Sequence, residues 1–169
     1  MATPKEQDYP AYYAQYLAKI NAANILDLMS KYAGLIEQFI HEIPDDKANF
    51  AYAKNKWTIK EVLQHLIDSE RVFVYRAMRF ARKDFIELEG YDENEYTKNA
   101  HANCRDFSIL KQEFLLLRKT TDLFLLSLTE EDLQQKGIAN NEPITVHAIV
   151  FIIYAHILHH IDVLKERYL

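Results

Sequence analysis

The sequence predicts an all-α fold built from four long helices. Glycine occurs only three times and proline four times in 169 residues, so the residues that most often end helices and form turns are scarce. Several segments repeat apolar side chains at intervals of three and four residues, which is the spacing of one helical face. A chain of this length that is 49% hydrophobic can bury one core and is short for two. We therefore expect a single domain over residues 1–169.

The first two long helices have the clearest boundaries. Over residues 24–43 the apolar side chains follow the helical spacing, and Pro44 ends the run. The second helix is predicted to begin at Thr58, because Thr58 and Glu61 have the spacing of a capping box. It is expected to extend to about Arg82. The tyrosine-rich segment DYPAYYAQYL, which precedes both, is predicted to form a lead-in helix whose tyrosines are packing residues.

The rest of the chain is predicted to contain a long connection, two more long helices and one short helix. Residues 83–105 include Gly90 and show little periodicity, so they are expected to connect helices two and three. A connection of this length usually has a function or crosses the bundle. The remaining elements are helix three over 106–127, a short helix over 129–135, a loop framed by Gly137 and Pro143, and a final helix from Thr145 to about Glu166.

Charge and composition favour a soluble, cytoplasmic protein. Twenty Lys and Arg against 25 Asp and Glu give a net charge of −5, which argues against nucleic acids and anionic membranes as partners. The single cysteine, Cys104, cannot form an intrachain disulfide, and it more simply fills a loop than acts as a nucleophile. The N-terminal MATPKEQDYP does not resemble a signal peptide. The longest apolar run, 148–155, is far shorter than the roughly 18–20 residues that cross a bilayer.

The final helix contains three histidines within its apolar sequence AHILHHIDV. At about 100° per residue, His156 and His160 lie about 40° apart on one apolar stripe. His159 lies about 60° from His156 toward the polar flank, and His147 faces nearly the opposite way, so these two are weaker candidates for a site. A buried imidazole needs a hydrogen-bond partner or a metal to replace its lost water.

Histidines four residues apart on a helix are a recurrent way to hold a divalent metal, because both rings can reach one ion at about 2.1 Å. His65 on helix two is the natural third ligand to the pair His156 and His160, since facing helices of a bundle project ligands into a shared interior. The alternative is that these are core histidines, each hydrogen-bonded to a carbonyl or carboxylate. If a metal binds, imidazole ligands suit both zinc and nickel.

His65 lies at the edge of an apolar helical face, in line with Glu61, Ser69 and Arg76. This line is either the wall of a polar pocket or the solvent edge of the helix. Glu61 is most simply a capping residue, and Arg76 and Asp68 are most simply surface or helix-pair charges.

Several motifs, in the same order over most of the chain, resemble the DinB-like (DinB/YfiT-like) family of metalloenzymes. They are WTIKEVLQHLIDSER at 57–71, YRAMRFARKD at 75–84, GYDENEY at 90–96, Arg118, and YAHILHHIDVLKERYL at 154–169. The resemblance implies a four-helix bundle with a long crossover between helices two and three. It also implies a divalent metal held by a histidine of helix two and an HxxxH pair of helix four. Those ligands correspond here to His65, His156 and His160.

The chain departs from the family pattern beside these histidines. Ala155 stands where many relatives have glycine, and Ile157 stands where many have an acidic residue, so one carboxylate near the ligands is missing. Asp162 and Val163 replace a common Gly-Gln pair. A substrate shared with those relatives therefore does not follow from the resemblance.

Characterised relatives use a low-molecular-weight thiol, so the resemblance implies a metal-dependent enzyme that activates such a thiol for S-transfer to a small electrophilic substrate. The first alternative is a metal-dependent hydrolase that activates water. The second is a non-catalytic helical module that dimerises through an apolar surface and has structural histidines. We expect a small-molecule substrate, whose carboxylate Arg76 would orient, and a homodimer. The family name implies no DNA binding.

Overall fold

The computed structural model describes residues 3–169 and confirms the predicted fold, in which four long helices, α2, α3, α5 and α7, form a bundle. The helices are α1 (Ala14–Leu17), α2 (Ile25–Glu42), α3 (Ile59–Ala81), α4 (Glu93–Asn99), α5 (Phe107–Leu126), α6 (Glu130–Gln134) and α7 (Val146–Arg167). Two short strands, β1 (Lys136–Ala139) and β2 (Glu142–Thr145), precede α7. Short 3₁₀ turns cover Glu6–Asp8, Ala11–Tyr13, Asp45–Lys47 and Ala102–Cys104.

Side-chain caps begin the helices where the sequence predicts. Thr58 accepts the backbone N–H of Glu61, whose carboxylate accepts the N–H of Thr58 in return, which is the predicted capping box. Asn24 caps α2, and Thr145 caps α7 by accepting the N–H of Ala148. Each cap satisfies an N–H group that has no partner within its own helix. The boundaries of α2, α3 and α7 are therefore confirmed to within a residue or two.

The last helix, α7, is the central element of the core. Every residue from Val146 to Ile157 is buried. The helix packs most extensively against α3 and also against α2. By length and composition α7 is apolar enough to cross a membrane, but 72% of its most apolar window is buried inside the protein. The helix is therefore buried as the core helix of a bundle. Polar groups on α7 must find their partners within the protein.

The predicted loop between Gly137 and Pro143 is wrong, because these residues belong to an antiparallel hairpin. Strands β1 and β2 pair in a register that places Gly137 opposite Ile144. The two linking residues, Asn140 and Asn141, have positive φ angles of 54° and 63°. Asparagine tolerates this conformation better than most residues, and two such residues in succession are typical of tight hairpin turns. Strands of four residues leave too short a pattern to be recognised in a sequence.

The connection between α3 and α5 contains α4 and is fixed to this hairpin. The N–H of Leu88 donates to the carbonyl of Ile138 at 3.0 Å, and the carbonyl of Leu88 accepts the N–H of Asn140 at 2.8 Å. Gly90 lies so close to the hairpin that a Cβ atom there would be 2.0 Å from Oδ1 of Asn140. The hairpin therefore fixes the backbone beside Tyr91, which lines the cavity described below.

Gly137 allows β1 to lie directly on α3. A Cβ atom at Gly137 would be 2.1 Å from Cε1 of Phe80, a fully buried ring. We expect Gly137→Ala to lower the free energy of unfolding by about 1–3 kcal/mol, because the ring must leave its packed position. Denaturant unfolding measures the change. Gly34→Ala is the matched control, since Gly34 lies in α2 with no atom near its added methyl group, and it should instead stabilise by about 0.5–1 kcal/mol. Equal effects of the two substitutions would contradict this account.

Candidate metal centre

Three histidines from α3 and α7 converge in the interior of the bundle. The Nε2 atoms of His65 and His156 are 3.1 Å apart. One ring nitrogen from each of His65, His156 and His160 lies within 4.8 Å of those of the other two. Nitrogens that share a tetrahedral ion at about 2.1 Å are about 3.4 Å apart. Small changes of ring orientation therefore suffice to place all three nitrogens around one ion.

Local sequence sets the positions of these rings. The capping box starts α3 at Ile59, so His65 lies on the second turn of that helix. His156 and His160 lie one turn apart on α7, with ring centroids 4.7 Å from each other. Their centroids are 5.0 and 4.9 Å, respectively, from that of His65. Trp57, just before the cap, covers His65 with its ring centroid at 4.8 Å.

Burial favours the neutral form of all three imidazoles. It lowers the pKa of His65 to about 4. It also lowers the pKa of His160 to about 3, with smaller contributions from the neighbouring histidines. The pKa of His156 lies well below its usual value, first because the ring is enclosed and then because other histidines surround it. Neutral imidazole is the form that binds metal, so no imidazolium proton has to be displaced at neutral pH.

The hydrogen bonds of the three rings fit a metal better than they fit a set of ordinary core histidines. Among the described residues, no carbonyl or carboxylate hydrogen-bonds to His65, His156 or His160. The buried Nδ1 of His160 has no hydrogen-bond partner there. The facing nitrogens of His65 and His156 can satisfy each other only when one carries a proton and the other does not. Three neutral imidazoles, two buried and one partly buried, form a donor set that suits zinc or nickel.

The hydroxyl groups of Ser69 and Tyr91 link His65 to the connection between α3 and α5. Ser69 lies one turn further along α3, and its Oγ is 3.4 Å from Nδ1 of His65. The same oxygen is 2.7 Å from the hydroxyl of Tyr91. If Nε2 of His65 binds a metal, the ring proton is on Nδ1 and points toward Ser69. This arrangement then fixes both the tautomer and the orientation of His65.

The side chains that lie in line with His65 on α3 form the wall of a pocket. Of the two alternatives that the sequence left open, a pocket wall or the solvent edge of the helix, the first is therefore correct. His65, Ser69 and Arg76 line a cavity of about 510 Å³ together with His156. This volume is within the range of small-molecule sites. Glu61 is not part of the wall, because its carboxylate is engaged in the capping box of α3. The cavity is completed by Pro10, Ala11, Tyr12, Tyr13, Tyr16, Phe73, Gly90, Tyr91, Glu93, Ala139, Asn140 and Glu142.

The N-terminal tyrosines do more than the packing that the sequence predicts for them. Tyr13 and Tyr16 both line the cavity. The ring of Tyr16 meets His156 edge to face, with centroids 6.1 Å apart, and its hydroxyl is 2.8 Å from that of Tyr12. Burial raises the pKa of Tyr13 and of Tyr16, so both are neutral phenols. The local spacing of these tyrosines does not distinguish a cavity wall from ordinary packing, because a tyrosine-rich helical face is compatible with both.

Other residues considered in the sequence lie outside the cluster. His159 is partly buried and packs on Tyr16 with ring centroids 4.7 Å apart, but it contributes no nitrogen to the group of three. His147 packs on Phe151 near the start of α7. Cys104 is exposed. A wider surface groove of about 780 Å³, between Gln64 and Glu113, is lined by none of the seven histidines.

For the metal-free protein, we expect the free energy of unfolding to decrease as the pH falls below about 6.5. Unfolded histidines bind protons near pH 6.5, whereas folded His65 and His160 stay neutral down to pH values of about 4 and 3. The unfolded state therefore binds more protons in this window, and stability that is complete above about pH 6.5 is lost on acidification. Denaturant unfolding in chelator, compared between about pH 7.5 and about pH 5, measures the loss. The double variant His65→Gln, His160→Gln should lose less over the same interval, and an equal loss would contradict the assignment.

Comparisons with known proteins identify the fold and the family. Among solved structures, the chain is similar to YfiT from Bacillus subtilis, which is described as a probable metal-dependent hydrolase with an unusual four-helix bundle topology. The two are 18% identical, with a TM-score of 0.71 over 96% of this chain and 89% of YfiT, so they share a fold. Comparison with curated proteins gave no match. A sequence profile of the DinB superfamily matches residues 33–164, a span that includes all three converging histidines. The chain therefore belongs to the DinB superfamily.

Proposed function

We propose that this protein is a metal-dependent enzyme in which His65, His156 and His160 hold a divalent cation, zinc or nickel. The observation that carries the proposal is the convergence of three neutral imidazoles, two buried and one partly buried, in a group that includes two residues lining a cavity of small-molecule size. Buried histidines without carbonyl or carboxylate partners are otherwise costly, because their polar nitrogens have lost water without replacement. A cation supplies that replacement.

A divalent ion with three neutral ligands keeps its full charge and acts as a Lewis acid that lowers the pKa of a bound thiol or water. The residues of the chain hold and orient the reactants. Ser69 and Tyr91 fix the orientation of His65. Phe73 and Tyr16 cover the edges of His156, with ring centroids 5.8 and 6.1 Å away, and so limit the access of water to that ring.

The reaction we propose is S-transfer from a low-molecular-weight thiol to a small electrophile. In this step the sulfur forms a bond to the electrophilic carbon, the electron pair of the breaking bond goes to the leaving group, and the thiol proton passes to solvent. Among the described residues, the carboxylates that line the cavity, Glu93 and Glu142, are both exposed, so the cavity holds no buried carboxylate base, which supports a thiol. A thiol with an ordinary pKa near 8.5 becomes a thiolate more readily than water becomes hydroxide, and it needs no additional base.

Metal-assisted hydrolysis is the second candidate, and the description of YfiT as a probable metal-dependent hydrolase supports it. Water would then be the nucleophile, and the hydroxyl of Tyr91 would be linked to His65 through Ser69. A dimerising module with structural histidines is the third possibility. It requires that the protein bind no stoichiometric metal.

Turnover assays on the metal-loaded protein separate these functions. The first assay measures consumption of a simple thiol with an aryl halide acceptor, and the second measures release of nitrophenol from a nitrophenyl ester without any thiol. Thiol-dependent product formation that is lost in His160→Ala supports S-transfer. Ester cleavage without thiol, lost in the same variant, supports hydrolysis. Activity that is equal in wild type, His160→Ala and chelated protein would reject the metal-dependent mechanism.

A further inference from the structure

Arg76 is a buried cation in the wall of the same cavity. Its side chain is on α3, two turns beyond Ser69, and the residue is only 7% exposed. It shares the cavity with His65 and His156. The guanidinium group therefore faces the space in which a substrate would lie beside the three histidines.

The hydrogen bonds of Arg76 leave most of its donors without a protein acceptor. A guanidinium group has five N–H donors, and the structure gives Arg76 one hydrogen bond, from Nη2 to the carbonyl of Glu89 at 2.9 Å. Among the described residues, no carboxylate oxygen lies within 4.0 Å of a side-chain nitrogen of Arg76, so Arg76 forms no ion pair there. The other buried arginine, Arg118, differs in this respect, because it pairs with Glu70 at 3.0 Å and also with Asp122 at 2.6 Å.

The two acidic residues that line the cavity do not act as ion-pair partners of Arg76. Glu93 and Glu142 are exposed, and neither forms an ion pair with Arg76. Charges in contact with water are screened by solvent and salt, whereas a buried cation needs a close anion to offset its lost hydration. A molecule bound in the cavity can supply that anion.

We propose that Arg76 binds a carboxylate of the small molecule that occupies the cavity, while the opposite end of that molecule reaches the three histidines. This inference rests on the proposed function and adds the chemical class of the ligand, a small anionic compound. The planar fork of a guanidinium group matches the two oxygens of a carboxylate, which gives orientation as well as affinity. The ligand would be held at two points, with its reactive group at the metal.

Matched pairs of thiols test this role directly. The cobalt-substituted protein is titrated with mercaptoacetate, mercaptopropionate and mercaptobutyrate, and with the corresponding neutral alcohols mercaptoethanol, mercaptopropanol and mercaptobutanol. Binding is read from the thiolate-to-cobalt absorption band, so no turnover is required. We expect at least one acid to bind about tenfold more tightly than its alcohol, which is the usual effect of a charge-assisted hydrogen bond. Arg76→Met should remove this preference, and Arg76→Lys should retain part of it.

The controls separate failure of this inference from failure of the proposed function. If the wild type does not take up cobalt in its histidine site, the proposed function fails. If cobalt and thiols bind but acids and alcohols bind equally well, the role of Arg76 is rejected. A preference that persists in Arg76→Met would reflect chelation of the ion by the acid and would also reject it. Should Arg76→Met fail to fold, the charge-retaining Arg76→Lys decides, because a full preference in that variant contradicts recognition by the guanidinium fork.

Discussion

Replacement of His156 by alanine is expected to abolish stoichiometric metal binding. His156 is buried, and its ring contacts those of both His65 and His160. Without it, His65 and His160 leave only two imidazoles, whereas stable zinc sites use at least three protein ligands. His65→Ala and His160→Ala should have the same effect for the same reason. Elemental analysis of protein purified without a His tag measures the metal content.

The same experiment has a thermodynamic readout. A metal that binds only the folded state stabilises it by about 4 kcal/mol when present at 1,000 times its Kd. Chelator should therefore lower the melting temperature of the wild type and leave that of His156→Ala unchanged. His159→Ala is the matched control, since His159 is adjacent to His160 in sequence but lies outside the cluster. Full metal content in all three ligand variants, or its loss in His159→Ala alone, would contradict the assignment.

Arg118→Leu is expected to destabilise the fold by about 3–5 kcal/mol, because it leaves a charge unpaired in the core. Glu70 is 2% exposed, and the ion pair with Nη1 of Arg118 at 3.0 Å is its closest charged contact. Arg118 also lies over the ring of Tyr154, with its Cζ atom 4.4 Å from the centroid. Burial raises the pKa of Glu70, and Arg118 opposes that rise. In the variant the carboxyl group should therefore take up a proton at a higher pH than in the wild type.

Denaturant unfolding of single and double variants tests this prediction. The double variant Glu70→Leu, Arg118→Leu should recover much of the lost stability, because it removes the buried charge of Glu70. Asp122, the other partner of Arg118, is partly exposed and keeps its hydrogen bond from Tyr154. Arg71→Leu is the control for an exposed arginine, since Arg71 is half exposed in its pair with Glu113, and its cost should be within about 1 kcal/mol. A double variant as unstable as Arg118→Leu would show that packing, rather than charge, is what the pair contributes.

The helices could be predicted from the sequence because their signals are local. The three-and-four apolar spacing of α2, the capping box at Thr58 and the cap at Thr145 each involve residues within one or two turns of one another. The four-residue spacing of His156 and His160 places both rings on one face of any regular helix. The hairpin at Gly137 was missed because its strands are shorter than the window in which periodicity can be recognised.

The sequence by itself therefore determined the helical fold and the stripe that holds two of the three histidines. Only the tertiary structure decided that His65 faces that stripe, since its position at the edge of an apolar face was compatible with either a pocket wall or solvent. It also decided that Tyr91 meets Ser69, and that Arg118 pairs with Glu70 while Arg76 has no acidic partner. These contacts join residues that are 22 to 91 positions apart. Their formation depends on how whole helices pack against one another, which no local spacing specifies.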